Sequence, residues 1–168
     1  MRVNPAIRSF ILGEVERQYH PIGTREYAER VEWMTDTWLW ANTCSIGHAK
    51  PTIKDMLHIA AMIEPEVNGK GYRTCGVRIG GHEATYWQYV ANDVEWLWSY
   101  VHNVRPEQGL GETPTLGVLT ADDFYLEFER IHPFGDGNGR TGKVLHNWLL
   151  GTLDDPVLVH DYYGAGNP

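Results

Sequence analysis

The stretch His132-Pro133-Phe134-Gly135-Asp136-Gly137-Asn138-Gly139-Arg140 brings together a base, a carboxylate, a glycine-rich turn and a guanidinium. Each of these suits one part of a phosphate site. Gly137 and Gly139, either side of Asn138, can take backbone angles that other residues resist, so successive amides can point at one anion. A helix starting there adds free N–H groups and the positive end of its dipole. Arg140 falls in the first turn and Lys143 follows three residues later on the same face, so two cations flank the amides. That combination suits a di- or triphosphate. Asp136 can hold a divalent cation that bridges phosphate oxygens. His132 titrates near neutral pH and can take a proton from an attacking hydroxyl.

Spacing alone also permits a P-loop, because Gly137, Gly142 and Lys143 match the first seven positions of G-x-x-x-x-G-K-[ST]. The eighth position is Val144, which has no hydroxyl for magnesium. A P-loop must also follow a buried strand, and residues 121–131 are patterned as a helix. The segment VLVHD at 157–161 resembles a metal-binding strand end, but too little chain precedes it for a parallel crossover. The P-loop reading is therefore set aside.

The elements that must carry this segment are helical. Asn4 before Pro5 reads as an N-cap and first helical position, with Ile7, Phe10 and Ile11 on one face. From about Thr24, residues Tyr27, Ala28, Val31, Met34, Trp38 and Leu39 recur at helical spacing. Thr52 with Asp55, and Thr120 with Asp123, form capping boxes ahead of apolar stripes. Another stripe runs through Val94, Leu97, Trp98 and Val101. Pro133 stops the helix that delivers His132, and a further helix is expected from near Gly139 to Leu150. Residues 69–81, with five glycines around Tyr72, Val77 and Ile79, read as a β-hairpin or flap, and 105–117 as a Gly/Pro-rich loop. The last residues look like a short extended tail.

The totals bound the rest. With 22 acidic against 14 basic residues and a formal charge of -8, there is no cationic face for nucleic acid. Two cysteines, Cys44 and Cys75, are too few for a metal set or a dense disulfide framework, and are expected as free thiols. No run is long enough to span a membrane, and the N-terminus lacks the apolar core of a signal peptide. A cytoplasmic protein is expected, or one delivered from there as an effector. The other seven histidines show no metal spacing, and Trp38, Trp96, Trp98 and Trp148 read as core.

HPFGDGNGR resembles the signature of the Fic (Fic/Doc) family, H-P-F-x-[D/E]-G-N-G-R-x-x-R, with only the last position changed, to Lys143. Phe128-Glu129-Arg130-Ile131 ahead of it, Tyr72-Arg73-Thr74, and Ile79-Gly80-Gly81 are similar to the family as well. The likeness runs in order through about residues 50–153. It implies an all-α fold, a Fic-type helical bundle with a small β-hairpin flap over the active site. One domain over 1–168 follows, with 1–49 a helical N-terminal part and 154–168 a tail. The implied activity is protein adenylyltransfer: AMP moves from ATP to a Ser, Thr or Tyr hydroxyl of a target protein. His132 would then be the general base, and Phe134 the anchor of the loop. Asp136 would hold Mg²⁺ on the ATP phosphates. Gly137, Asn138 and Gly139 would form the anion hole, with Arg140 and Lys143 toward the phosphates. Val77, Ile79 and Gly80 of the flap would pair with an extended segment of the target.

The chain departs from the pattern in three places. Lys143 keeps the charge of the family's arginine but loses its fork, which predicts a weaker or shifted grip on the nucleotide. Tyr86-Trp87-Gln88-Tyr89 stands where the family often has prolines, and packing is the expected role. No [S/T]-x-x-x-E-[G/N] inhibitory helix is found, so a separate antitoxin-like protein would supply one, or the enzyme is unrestrained. Two other functions stay open: transfer of UMP or of phosphate, and a catalytically weak, toxin-like interaction protein. Gly139 disfavours the phosphate-transferring branch, whose motif carries lysine there. The target, the oligomeric state and the base preference are not fixed by these residues.

Overall fold

Three helix starts follow directly from their caps. In the computed structural model, which describes residues 3–18, 21–47, 50–102 and 119–159, Asn4 accepts the Ile7 amide at 2.9 Å and opens α1, Pro5–Arg17. Thr52 with Asp55 opens α3, Ile53–Ile63, and Thr120 with Asp123 opens α6, Ala121–Ile131; both are complete capping boxes. Between α1 and α3 lies α2, Arg25–Gly47, where Thr24 Oγ1 accepts the Tyr27 amide. A short helix α4, Pro65–Asn68, follows α3 without an apolar stripe to announce it. Then come β1, Arg78–Ile79, and β2, His82–Glu83, a 3-10 turn at Trp87–Tyr89, and α5, Val90–Val101. Helix α7, Asn138–Leu150, ends at Gly151 in the left-handed region.

The architecture is an all-α bundle with one two-stranded hairpin among the described residues. Helix α7 lies at its centre, packed against α6, α3 and α2. Helix α5 backs α6 and α3, and α1 packs on α2. Trp38, Met56, Ile59, Phe128, Val144 and Leu145 are among the fully buried side chains that join these elements. Each such side chain contributes roughly 1.5–3 kcal/mol by leaving water. Buried indoles keep partners: Trp38 Nε1 donates to Leu153 O at 2.8 Å, and Trp98 Nε1 to Pro51 O at 3.0 Å.

The hairpin is narrower and later than the 69–81 expected. Arg78 pairs with Glu83 and Ile79 with His82, around Gly80 and Gly81, both at positive φ. Two such residues suit the tight turns that match strand twist. Tyr72 is outside the strands and packs on Phe134, ring centroids 6.0 Å apart. Trp96 is also corrected: it is 39% exposed, whereas Trp38, Trp98 and Trp148 are core. The expected loop at 105–117 and residues 160–168 of the tail lie outside the described residues. Cys44 and Cys75 are free, and no described helix is long and apolar enough to cross a membrane.

Candidate active site

The site forms where α6 ends, the chain turns, and α7 begins. His132 caps α6 at φ 50, ψ 64, the only non-glycine residue at positive φ among the described residues. A left-handed histidine costs roughly 1–2 kcal/mol and persists only where neighbours fix it. Arg73, 5% exposed, supplies that fixing: its guanidinium donates to His132 O at 2.7 Å and Ile131 O at 3.3 Å, and its amide to Pro133 O at 3.0 Å. The same guanidinium also reaches Cys75 O at 2.7 Å and Thr85 O.

The imidazole of His132 is mostly covered, its side chain 19% exposed, with Nδ1 buried and 3.8 Å from Glu129 Oε2. Burial pushes its pKa down to about 4. The Glu129 main-chain carbonyl opposes this, Arg73 reinforces it, and Asp136 weakly opposes it. At neutral pH the ring is therefore uncharged and able to accept a proton.

After Pro133 the loop is clipped from within. Asn138 Oδ1 accepts the Phe134 amide and Nδ2 donates to Phe134 O, both at 2.9 Å. The Asn138 side chain thus holds the loop, while its amide belongs to the helix start. Phe134 is fully buried between Tyr72 and Phe128. Asn68 Nδ2 donates to Asp136 O at 2.9 Å, tying the turn to α4. Gly137 sits at φ 69, and a Cβ there would lie 2.8 Å from Ile63 Cγ2. Glycine is required on both counts.

Helix α7 starts with no side-chain cap. Thr141 N makes the first intrahelical bond, to Gly137 O at 2.9 Å. The amides of Asn138, Gly139 and Arg140 have no acceptor among the described residues, whereas the Gly137 amide donates to Asp136 Oδ1 at 2.6 Å. A Cβ on Gly139 would find nothing nearer than Gln18 Nε2 at 3.8 Å. A Cβ at Gly139 would thus be in ordinary contact with Gln18 of the α1 C-cap and Tyr125 of α6.

The two cations behave differently from each other and from free phosphate ligands. Arg140 is 1% exposed and donates to Glu64 Oε1 at 2.6 Å, an oxygen that Arg30 also approaches at 3.1 Å. Its Nε and Nη1 atoms are buried without a hydrogen-bond partner among the described residues. Lys143 is 2% exposed and donates to Glu14 Oε2 of α1 at 2.6 Å. Asp136 stands at the rim, its side chain 51% exposed, 3.9 Å from Arg140.

A family model described as the Fic/DOC family matches residues 50–150. The chain belongs to the Fic/DOC family. It is 31% identical over 123 residues to "Protein adenylyltransferase Fic" of Culex quinquefasciatus, a match covering 67% of this chain and 23% of that protein. Two solved structures of Fic-1 from C. elegans, one a single-residue variant, superpose with TM-scores of 0.62 and 0.60 at 20% identity. They cover 91% and 88% of this Fic chain, which spans 49% and 44% of theirs. The helical bundle with a small hairpin is therefore the Fic fold, and this chain corresponds to part of each relative.

Within this Fic domain, the structure brings His132, Asp136, the α7 amides and Arg140 to one end of α7. Arg73 ties Cys75 and Thr85, which flank the hairpin, to the same turn. Val77 and Ile79 are half-buried and Gly80 is exposed. Tyr86, Trp87 and Tyr89 are exposed, so the expected packing role of that aromatic run is corrected. Sequence reasoning missed Glu64, Glu14 and Arg30. Each is an ordinary-looking charge on a helix, and only the fold shows that α7 is buried all round and needs partners for its polar face.

Proposed function

We propose that this chain acts as a protein adenylyltransferase domain, moving AMP from ATP to a Ser, Thr or Tyr hydroxyl of a target protein. The observation that carries this is a neutral His132 in the turn that leads to three α7 amides with no acceptor among the described residues. Those amides and the dipole behind them suit phosphate oxygens of a nucleotide. Arg140 adds buried donors next to the same turn. His132 takes the hydroxyl proton; the oxygen forms a bond to the α-phosphorus, and the bond from that phosphorus to pyrophosphate breaks. The products are an AMP ester on the target and free pyrophosphate. Val77, Ile79 and Gly80 on the hairpin are suited to pair with the target chain, since a two-stranded sheet leaves backbone groups open at its edges.

Asp136 fits Mg²⁺ that arrives with ATP rather than a resident ion. It is one half-exposed carboxylate, and no group of three metal-binding side chains occurs among the described residues. Mg²⁺ bound in this way needs only one or two carboxylates beside phosphate oxygens. When present it would offset charge on those oxygens.

Lys143 is tied to Glu14, which supports a restraint carried by α1 over one supplied by a separate antitoxin-like inhibitor. A phosphate would have to compete with that carboxylate. The same pair favours a weak-activity reading as the second function.

Purified protein incubated with ATP labelled at the α- or γ-phosphate tests the proposal. Label should stay on protein only from the α position, and His132→Ala should cut the rate by about 10²–10⁴-fold. Label retained from the γ position alone would mean phosphoryl transfer, and an His132→Ala rate within a few fold of wild type would remove the base assignment.

A further inference from the structure

Arg73 joins two parts of the molecule that the proposed chemistry must keep in register. Its guanidinium holds the last turn of α6 through Ile131 O and His132 O. It also holds both feet of the hairpin, through Cys75 O before β1 and Thr85 O after β2. Its own amide donates to Pro133 O, so the residues on both sides of the His132 side chain are gripped from one position. Thr85 adds a parallel link, its amide 3.4 Å from Arg130 O. Four carbonyls around one buried guanidinium use the planar fork of arginine, which no lysine can reproduce.

We infer that Arg73 is a positioning residue through which the hairpin sets the backbone, and hence the imidazole, of His132. This rests on the reading of His132 as the base. His132 lies in a backbone region that a histidine seldom occupies, so it must be held there, and the carbonyl of that very residue is an Arg73 partner. A displacement of the hairpin moves Cys75 O and Thr85 O, and Arg73 passes that displacement to His132 O. A target segment pairing with the hairpin would therefore act on the geometry of the base. Displacement of a reacting group by about 1 Å is enough to cost on the order of 10²-fold in rate.

The test uses the full chain with Arg73→Met, which removes all the guanidinium donors, and Arg73→Lys, which keeps the charge without the fork. Three readouts are taken: pyrophosphate release from Mg-ATP, Mg-ATP affinity by calorimetry, and NMR titration of the His132 imidazole. The charged groups facing that ring are Arg73 itself, Glu129 from α6 and Asp136 from the loop. Arg73→Met should slow release by about 10–100-fold with affinity within about twofold, and should move the His132 titration upward. Arg73→Lys should recover part of the rate and, because a positive charge stays beside the ring, most of the wild-type titration.

An unchanged rate and titration in Arg73→Met would overturn the inference, as would a rate loss matched by an equal loss of ATP affinity. If Arg73→Met does not fold, Arg73→Lys decides: a slower rate at wild-type affinity supports the inference, and wild-type behaviour throughout overturns it. The base assignment fails separately. An active His132→Ala enzyme removes the base, yet leaves the NMR titration to report whether Arg73 fixes the ring. A dead His132→Ala enzyme beside a fully active Arg73→Met removes only the role of Arg73.

Discussion

The loop into α7 and the hairpin are both glycine-rich, yet they are built in opposite ways. Gly137 and Gly81 share a positive φ. Beside Gly137 a Cβ would meet Ile63 at 2.8 Å and Glu64 at 3.1 Å; beside Gly81 nothing lies within 4 Å. Polar side chains around α7 are buried and tied one by one: Arg140 to Glu64, Lys143 to Glu14, His146 to Asp122. Around the hairpin, Glu83, Tyr86 and Tyr89 face water. The first region is tied into one geometry, as the proposed phosphate chemistry would require. The second has few buried contacts and many open groups, as the proposed docking of a target segment would need.

The comparison breaks most visibly at its charges. Glu64, with a side chain 4% exposed, is the shared partner of Arg140 and Arg30. Glu64→Ala leaves Arg140 buried with only the rim carboxylate of Asp136 at 3.9 Å, and should destabilise the fold by about 3–5 kcal/mol in urea unfolding. Glu83→Ala removes an exposed carboxylate opposite Arg78 and should change stability by less than about 0.5 kcal/mol. A Glu64→Ala loss below about 1 kcal/mol would show that Arg140 finds another partner, and that the region around α7 is less fixed than its packing implies.

The rigid region was also the more legible one. Local chemistry writes itself into short patterns, so the capping boxes at Thr52 and Thr120, the Asn4 cap and the stop at Pro133 all appear at their positions. The glycines of the turn into α7 are legible for the same reason. Partners across the fold are not, because Glu14 lies in α1 and Glu64 at the end of α3, far in sequence from the residues they pair with. Helix α4 has no stripe to read, since a four-residue helix makes barely one turn. The sequence places the hairpin too early because the glycine-rich run begins at Gly69 and includes Tyr72, whose ring packs on Phe134 instead. Trp96 and the 86–89 run misled for a plainer reason: aromatic residues favour the core on average, and these do not follow the average.

A smaller effect sharpens the contrast at His132. Its pKa is about 4 in the fold against 6.5 ordinarily. Above pH 6.5 neither state binds the proton, so burial of the ring costs nothing there. As pH falls from 6.5 toward 4 the unfolded chain takes up the proton first, and stability is lost across that window. The ceiling is on the order of 3 kcal/mol, from about 1.4 kcal/mol per pKa unit. His132→Asn isolates the effect, because asparagine tolerates the left-handed backbone and does not titrate. Melting temperatures of the two proteins should diverge in the variant's favour on acidification. Parallel pH slopes would mean that the ring is not held neutral.

The smallest effect belongs to the aromatic run beside the hairpin. Tyr86 and Tyr89 are 63% and 60% exposed, with ring centroids 6.5 Å apart. Water already reaches most of both rings, so Tyr86→Ser with Tyr89→Ser removes little burial. A change of less than about 0.5 kcal/mol at each position is expected in the same urea experiment. Phe134→Ala, by contrast, empties a fully buried position in the loop and belongs to the class that costs about 3–5 kcal/mol. A loss above about 1 kcal/mol from either tyrosine would mean that the rings hold the hairpin down on α5. The hairpin would then be set from two sides, by Arg73 beneath and by the aromatic run beyond β2, and its openness to another chain would be correspondingly smaller.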